Sequence, residues 1–393
     1  MEHLTLCEYR RQAYKPLTTL EYQCFIEKNY REFRNKIMSG ASGIKPKRLG
    51  IHLANRDCSN KCLFCINGGT KHNELSLDSP EIFLDVLHRL LNIRNGEDDY
   101  IDEIHFDGDS SDPILPKTLN LFGRSIELIR TLEGQDGKNR LIQVITNGHF
   151  IHNLSDEVLQ NIDLFNISIN AYNRDIYEIY SGTRSFDLVL SNINKLCRFR
   201  DKFRSGQFVN ASYVLSRIEA RGLTNFSENS ILRFIEDMNV IGVNGLKFRF
   251  DFNEKNEQYQ EYIRNFIKAI SDSGKFLPMN IHIQPPEHNP GFKYCLAPFI
   301  WPVLGPDIRL YPCPHSMKSE LELSQDRESV FLIQEGEEKL CNCVCPPFMF
   351  SLNKIFNHDM EYDIEFRRAI NAYQNSQYRG FSKTNRASFT IST

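Results

Sequence analysis

Short runs of β-forming residues alternate with longer amphipathic segments from residue 48 onward, and this alternation limits the fold more than any other feature. Strands that alternate with helices typically form parallel βα units around one sheet. Segments of helical periodicity separate the runs, among them SPEIFLDVLHRLLNI, SFDLVLSNINKLCRF and SILRFIEDMNVIG. The six predicted strands are RLGIHLA (48–54), IDEIHF (101–106), LIQVIT (141–146), LFNISIN (164–170), FVNASYVL (208–215) and GLKFRF (245–250). The sequence therefore predicts an α/β fold, a partial (βα)6 barrel of the TIM type, with its binding site at the carboxyl ends of the strands.

The regions that flank these units differ from them in composition. The first 47 residues have a helical pattern and end in the breaker-rich segment SGASGIKPK. Beyond Pro285 the sequence becomes rich in proline and aromatic residues and contains five cysteines. We expect four parts: a helical N-terminal extension (1–47), the barrel (48–284), a small cysteine-rich module (285–350), and a C-terminal helix and tail (351–393).

The charge balance gives no general attraction for nucleic acid, because 47 basic residues stand against 50 acidic ones and the net charge is -3. The basic and aromatic segment CRFRDKFR (197–204) comes at the end of a predicted helix, where its charges complement the helix dipole. No apolar run approaches the ~20 residues that a membrane-spanning helix needs. We expect a cytoplasmic protein without a membrane or nucleic-acid partner.

Three cysteines lie close together directly after the first predicted strand, in DCSNKCLFC. The chain has eleven cysteines, and in a reducing compartment clustered thiols are more often metal ligands than disulfides. Cys58, Cys62 and Cys65 are candidate ligands of an iron-sulfur cluster, and three ligands leave one iron open for a small molecule. The alternative is a zinc site completed by His52 or His72.

The spacing Cys-x3-Cys-x-aromatic-Cys, with Phe64 at the aromatic position, resembles the signature of the radical S-adenosylmethionine enzymes. The resemblance implies a 4Fe-4S cluster held by the three cysteines and chelated at its open iron by S-adenosylmethionine. One electron, from a donor such as flavodoxin or ferredoxin, would then cleave the cofactor to methionine and a 5′-deoxyadenosyl radical. That radical would abstract hydrogen from an unactivated carbon of the substrate, so the protein must position the substrate and exclude water.

Polar segments at the ends of the second, third and fourth predicted strands extend the resemblance. SSDP (110–113) occupies the place of the family's Gly-Gly-Glu-Pro segment, TNG (146–148) closes the third strand and ISIN (167–170) closes the fourth. The resemblance implies that such side chains lie near the methionyl amine and the ribose of the cofactor, whereas strand-end capping or turn formation is the alternative for each. The predicted cofactor-binding residues are Phe64, Ser110, Ser111, Asp112, Asn147, Ser168 and Asn170.

The cysteine-rich module resembles the SPASM and twitch modules, in which a β-hairpin presents two cysteines to an auxiliary cluster. CLAPFIWPVLGPDIRLYPCPH begins at Cys295 and contains a second cysteine, Cys313, but it has Ile308 where the pattern has a turn glycine. Isoleucine disfavours the positive φ of such a turn. We expect one auxiliary 4Fe-4S cluster or, alternatively, a small zinc knot. The candidate ligands are Cys295, Cys313, Cys341, Cys343 and Cys345.

These features together predict an enzyme, a radical S-adenosylmethionine oxidoreductase. A ribosomally made peptide is the expected substrate, in natural-product maturation, and a small sugar or antibiotic precursor is the alternative. A zinc-stabilised binding protein without catalysis is the competing class. The single cysteines Cys7, Cys24 and Cys197 occur in helical patterns and are expected to be buried core residues.

Overall fold

The computed structural model describes residues 19–39, 48–54, 57–65, 80–92, 101–108, 111–204, 206–218, 222–251, 256–284, 301–308, 310–311, 347–370 and 372. Within these residues a sheet of nine strands forms the centre of the molecule, and two short strands form a second sheet. The strands are β1 (Arg48–Ile51), β2 (Glu103–Phe106), β3 (Leu141–Thr146), β4 (Leu164–Ser168), β5 (Phe208–Leu215), β6 (Arg217–Ile218), β7 (Leu223–Thr224), β8 (Gly245–Phe250), β9 (Asn280–Gln284), β10 (Val303–Leu304) and β11 (Leu310–Tyr311).

Helices follow most of the strands, as the periodic segments of the sequence predict. None of the described helices is both long and apolar enough to cross a membrane. The helices are α1 (Thr19–Met38), α2 (Pro80–Asn92), α3 (Leu119–Asp136), α4 (Asp156–Gln160), α5 (Arg174–Ser181), α6 (Phe186–Phe203), α7 (Glu228–Ile241), α8 (Glu257–Asp272) and α9 (Pro347–Tyr362), with a 3-10 turn at Ile151–Asn153.

The order of the strands confirms the predicted partial barrel. The sheet runs β11-β10-β1-β2-β3-β4-β5-β8-β9, and every neighbouring pair except β10 and β11 is parallel. β1 to β5 and β8 correspond to the six predicted strands. The predicted number of parallel strands, six, is too small, because β9 and β10 add one parallel strand at each side of the sheet. β10 has only two residues, too few for a periodic pattern, and β9 ends directly before Pro285, where the sequence becomes rich in proline.

The two faces of this sheet differ in polarity. Alternate residues such as Ile104 and Phe106 are buried in the hydrophobic core, where the Phe106 ring packs 5.0 Å from the ring of Phe122 on α3. The residues between them lie on the opposite face, because side chains alternate along a strand. This inner face is mostly polar in the described strands, and its polar members include Glu103, His105, Gln143, Asn166, Ser168, Asn210, Ser212, Lys247 and Arg249.

A buried cluster occupies the inner face at the amino-terminal ends of β1 and β2. Arg48 Nε lies 2.7 Å from Glu103 Oε2, and His105 Nε2 lies 2.7 Å from Glu103 Oε1. The guanidinium carbon of Arg48 lies 5.2 Å from the centroid of the Trp301 ring, just before β10. All four side chains are buried. The cluster fills this end of the barrel, and the opposite end carries the polar loops.

The helices at the two ends of the chain pack against each other. Tyr30 on α1 donates a hydrogen bond of 2.9 Å to Asp359 on α9, and Arg34 pairs with the same carboxylate at 3.1 Å. Phe33 and Phe356 add an edge-to-face ring contact. A helix therefore occurs within the predicted N-terminal extension, and its partner is the predicted C-terminal helix.

Candidate functional site

The loop DCSNKCLFC, which we call the cysteine loop (57–65), follows β1 at the carboxyl ends of the parallel strands. Its three cysteines are partly buried, and none of them forms a disulfide. Burial raises the pKa of Cys58 to about 11 and that of Cys62 to about 12, and the negative charges of the neighbouring cysteines contribute to both shifts. The three thiols therefore lie close enough to influence one another.

The middle of the cysteine loop is attached to the end of α5. Lys61 donates a backbone hydrogen bond of 2.8 Å to the carbonyl of Ser181, and Leu63 donates one of 2.9 Å to Tyr180. These carbonyls belong to the last turn of a helix and have no partner within it. Phe64 lies beside the same turn, with its ring 6.5 Å from that of Tyr180.

A glycine makes the approach of α5 to the loop feasible. Gly182 ends α5 with φ of 68°, a conformation that favours glycine. A Cβ atom at this position would lie 3.1 Å from the Cβ of Lys61. The residue that terminates the helix therefore also leaves room for the cysteine loop.

The start of the loop is held by the segments that follow β2 and β3. Asn147 donates its side-chain amide to Ser59 Oγ at 2.9 Å and to the Cys58 sulfur at 3.4 Å. The backbone N–H of Asp112 donates to the carbonyl of Asp57 at 3.1 Å. Two of the residues predicted from the family pattern thus contact the cysteine loop directly.

The carboxylate of Asp112 is buried and accepts several hydrogen bonds from the protein. It accepts hydrogen bonds from the hydroxyl of Thr146 at 2.9 Å, the backbone N–H of Asn147 at 2.6 Å and that of Ile114 at 2.9 Å. Burial raises the pKa of Asp112 to about 6, although these hydrogen bonds favour the charged form. In this arrangement the carboxylate joins the end of β2 to the end of β3.

The remaining predicted residues fall in different surroundings. Ser168 lies on the inner face, with its hydroxyl 3.2 Å from that of Ser212. Asn170 is buried, and its side-chain oxygen accepts a hydrogen bond of 2.8 Å from the N–H of Val214. Ser111, which follows β2 in sequence, is partly buried, and Ser110 lies outside the described residues.

Two buried residues beside the loop were not predicted from the sequence. His149 Nε2 lies 2.9 Å from the hydroxyl of Tyr177, and burial lowers the pKa of His149 to about 4. Burial raises the pKa of Tyr177 to about 12, and a hydrogen bond with the side chain of Asn60 opposes that shift. His149 comes directly after TNG. This position at the end of the third strand is the sequence signal that could have identified it as a site residue.

Solved structures with a similar fold were found, although no protein-family model and no curated protein matches the sequence. Streptococcus suis SuiB bound to S-adenosylmethionine has a TM-score of 0.51 at 12% identity, over 71% of this chain and 62% of SuiB. SuiB bound to its precursor peptide SuiA has a TM-score of 0.52 at 13% identity, over 75% and 65%. Native anSMEcpe with bound AdoMet has a TM-score of 0.52 at 16% identity, over 84% and 99%.

These proteins are radical S-adenosylmethionine enzymes. The chain has the radical S-adenosylmethionine fold. It spans less than two thirds of the length of SuiB. In this fold the cysteine loop, the end of α5 and the polar segments after β2, β3 and β4 come together at one end of the barrel.

The donor chemistry of the cysteine loop suits an iron-sulfur cluster. Cys58, Cys62 and Cys65 provide three unpaired thiols in one irregular segment, and thiolates are the usual ligands of such clusters. Among the described residues, no group of three or more His, Cys, Asp or Glu side chains already has the geometry of a metal site. His52, an alternative zinc ligand, is buried with its Nε2 2.7 Å from Asp107 Oδ1, and His72 lies outside the described residues.

The five C-terminal cysteines predicted as cluster ligands lie outside the described residues. The strands of the hairpin between Cys295 and Cys313 lie within them. Val303 pairs with Tyr311 in the antiparallel hairpin of β10 and β11. Ile308 in its turn has φ of 65°, so the chain adopts the conformation that isoleucine disfavours. Cys197 is buried in α6, as predicted. The cysteines outside the described part are Cys7, Cys295, Cys313, Cys341, Cys343 and Cys345.

Proposed function

We propose that the protein is a radical S-adenosylmethionine enzyme, an oxidoreductase that acts on an unactivated C–H bond. One observation carries this proposal: Cys58, Cys62 and Cys65 lie unpaired in a single loop at the carboxyl ends of the strands of a radical S-adenosylmethionine fold. Active sites of TIM-type barrels lie at that end.

In this proposal the three cysteines would hold a 4Fe-4S cluster that has one iron without a protein ligand. When bound, that cluster supplies the electron that cleaves S-adenosylmethionine to methionine and a 5′-deoxyadenosyl radical. The chain supplies the thiolates, and since burial raises the pKa of Cys58 and Cys62, those thiols carry protons at neutral pH before the cluster binds. Loading the loop therefore releases protons.

The surrounding residues fix the position of the cysteine loop. The backbone of Lys61 and Leu63 bonds to the end of α5, and Asn147 bonds to Ser59. A loop fixed on two sides loses less conformational freedom when it binds a cofactor. The buried cluster around Arg48 fills the other end of the barrel and would keep water out from that side.

We assign the predicted cofactor-binding residues in two groups. Phe64, Asn147 and Ser168 would form the wall of the cofactor site, because they lie beside the cysteine loop or on the inner face. Asp112 and Asn170 would act by holding the strand ends together, since their side-chain oxygens bond to neighbouring strands and loops. Ser110 and Ser111 remain predicted contacts of the methionyl group.

We propose a peptide as the substrate and a small sugar or antibiotic precursor as the alternative. Two of the proteins of similar fold have peptides bound, namely SuiB with its precursor peptide SuiA and anSMEcpe with the Kp18Cys peptide. We also propose that the chain divides into a barrel (48–284) and an auxiliary module (285–350). The C-terminal cysteines would hold one auxiliary 4Fe-4S cluster, and flavodoxin or ferredoxin would donate electrons.

Anaerobic reconstitution of the full chain with iron and sulfide tests the proposed activity. The reconstituted protein, given S-adenosylmethionine and dithionite, is expected to form 5′-deoxyadenosine, which mass spectrometry detects. Cys62→Ala should abolish this product. Cys197→Ala is the matched control, because it removes a cysteine thiol from the buried face of α6 and should leave product formation intact. A colourless zinc-containing protein, or full product formation by Cys62→Ala, would reject the proposal.

A further inference from the structure

Arg249 lies on the inner face of the barrel near the carboxyl end of β8. Its neighbours in sequence, Phe248 and Phe250, are buried in the hydrophobic core, and the Phe248 ring lies 6.1 Å from that of Phe234 on α7. Because side chains alternate along a strand, Arg249 points away from the helices. The backbone register places it beside Val214 of β5.

The guanidinium of Arg249 has no hydrogen bond or ion pair with any residue in the described part of the chain. Other arginines of the barrel are paired, such as Arg130, which bonds to Asp163 at 2.6 Å. The Arg249 side chain is exposed to solvent, yet desolvation lowers its pKa. Both observations fit a side chain that projects into a solvent-accessible space with protein around it, since an arginine on the outer surface would not be desolvated.

The surroundings of Arg249 connect it to the cysteine loop. Cys62 and Asp251 are both close enough to act on its charge. The carboxylate of Asp251 is buried and accepts a hydrogen bond of 2.7 Å from the hydroxyl of Ser216. Lys247, two residues earlier, occupies the same face of β8 and lies opposite Ser212 in the register. This part of the inner face therefore carries two basic side chains near the loop, against the one carboxylate of Asp251.

We propose that Arg249 binds an oxyanion of the substrate, a carboxylate or a phosphate, inside the barrel beside the cysteine loop. A guanidinium presents parallel N–H groups that match the two oxygens of such a group, and it keeps its charge in a desolvated site. Lys247 adds a second positive charge on the same face. That the bound oxyanion belongs to a substrate rests on the proposed function, whereas the binding of an oxyanion by Arg249 does not. The carboxylate of S-adenosylmethionine is the other source of the same chemistry.

Labelling of the full chain with the arginine reagent phenylglyoxal, followed by peptide mass spectrometry, tests this site. Arg233 is an internal control. Like Arg249 it is exposed and has no ion pair or hydrogen bond with the described residues, but it lies on helix α7, outside the barrel. The probes are N-acetylglutamate, inorganic phosphate and S-adenosylmethionine, and N-acetylglutaminamide, in which both carboxyl groups of N-acetylglutamate are amides, is the uncharged control. The labelling requires neither a cluster nor turnover, so its result stands apart from the test of the proposed function.

We expect both arginines to react, and N-acetylglutamate or phosphate to slow the labelling of Arg249 alone. A probe at about ten times its dissociation constant should lower the rate about tenfold. N-acetylglutaminamide should have no effect, because it carries no carboxylate. Protection by S-adenosylmethionine alone would overturn the proposal by placing Arg249 in the cofactor site. An Arg249 that does not react, or that no probe protects, would also overturn it.

Discussion

Asn147 donates a hydrogen bond of 2.9 Å to the hydroxyl of Ser59 across 88 positions of sequence. The same amide nitrogen lies 3.4 Å from the sulfur of Cys58, and the Asn147 backbone donates to Asp112. Through these contacts the ends of β2 and β3 fix the start of the cysteine loop. The position of the loop therefore depends on the packing of two strands to which it does not belong.

A double-mutant cycle measures the strength of this link. Asn147→Ala and Ser59→Ala should each lower the free energy of unfolding, and the double variant should lose less than their sum. The expected coupling is about 1 kcal/mol, as for one partly buried hydrogen bond between neutral groups. Urea unfolding of the metal-free chain gives all three values. Additive losses would show that the two side chains do not interact.

Gly182→Ala should disturb the cysteine loop as well as α5. Gly137→Ala is the matched control, because Gly137 ends α3 with φ of 66° and has open space where a Cβ would lie. Both variants should lose about 1 kcal/mol from the left-handed backbone. Gly182→Ala should lose about 1 kcal/mol more, because the added methyl group crowds Lys61. Thermal unfolding compares them, and equal losses would contradict the contact.

Ile308 should be a strained residue in the hairpin of β10 and β11. Its φ of 65° is easy for glycine and difficult for any residue with a Cβ. Ile308→Gly and Ile308→Ala both remove the packing of the side chain, but only glycine relieves the backbone. We expect the glycine variant to be more stable than the alanine variant by about 1 kcal/mol in urea unfolding. An alanine variant of equal or greater stability would contradict this conformation.

Asp112 should make the protein less stable as the pH rises from 5 to 7. Its pKa is about 6 in the folded state because of burial, whereas an exposed aspartate titrates near 3.8. The folded state therefore holds the proton more tightly than the unfolded state, and this contribution to stability is lost as the pH rises through 6. The effect between pH 5 and 7 is about 1 kcal/mol.

Asp112→Asn isolates this effect, because every other titrating group is common to both proteins. The substitution should lower the free energy of unfolding at both pH values, since an amide cannot accept all the hydrogen bonds of the carboxylate. Its cost should be smaller at pH 7 than at pH 5. A cost that stays constant with pH would mean that Asp112 has an ordinary pKa.

Much of the fold could be predicted because each of the main strands carries its own local signal. The alternation in GLKFRF separates Phe248, in the core, from Arg249, on the inner face. β10 was missed because it has only two residues and pairs with β1, which is far away in sequence, whereas β9 was missed because it ends next to the proline-rich segment.

The site could be predicted only in part, for a related reason. The spacing of the cysteines is local, so the sequence alone predicts the loop as a cluster site, with a zinc site as the alternative. The role of a polar residue at a strand end depends on the neighbouring strand: Ser168 faces the inner space, whereas Asn170 bonds to the backbone of Val214 on β5. Those two residues look equivalent in the sequence because they are two positions apart, but β4 ends at Ser168 and Asn170 lies beyond the paired residues.

The Mössbauer spectrum of the reconstituted chain, recorded with and without S-adenosylmethionine, tests whether the cluster of the cysteine loop has an open iron. The Cys62→Ala variant provides the reference without the cluster of the cysteine loop. We predict that the cofactor changes the signal of one iron of that cluster, because three cysteines leave one iron without a protein ligand. A spectrum that the cofactor leaves unchanged would show that no iron of this cluster is open to S-adenosylmethionine.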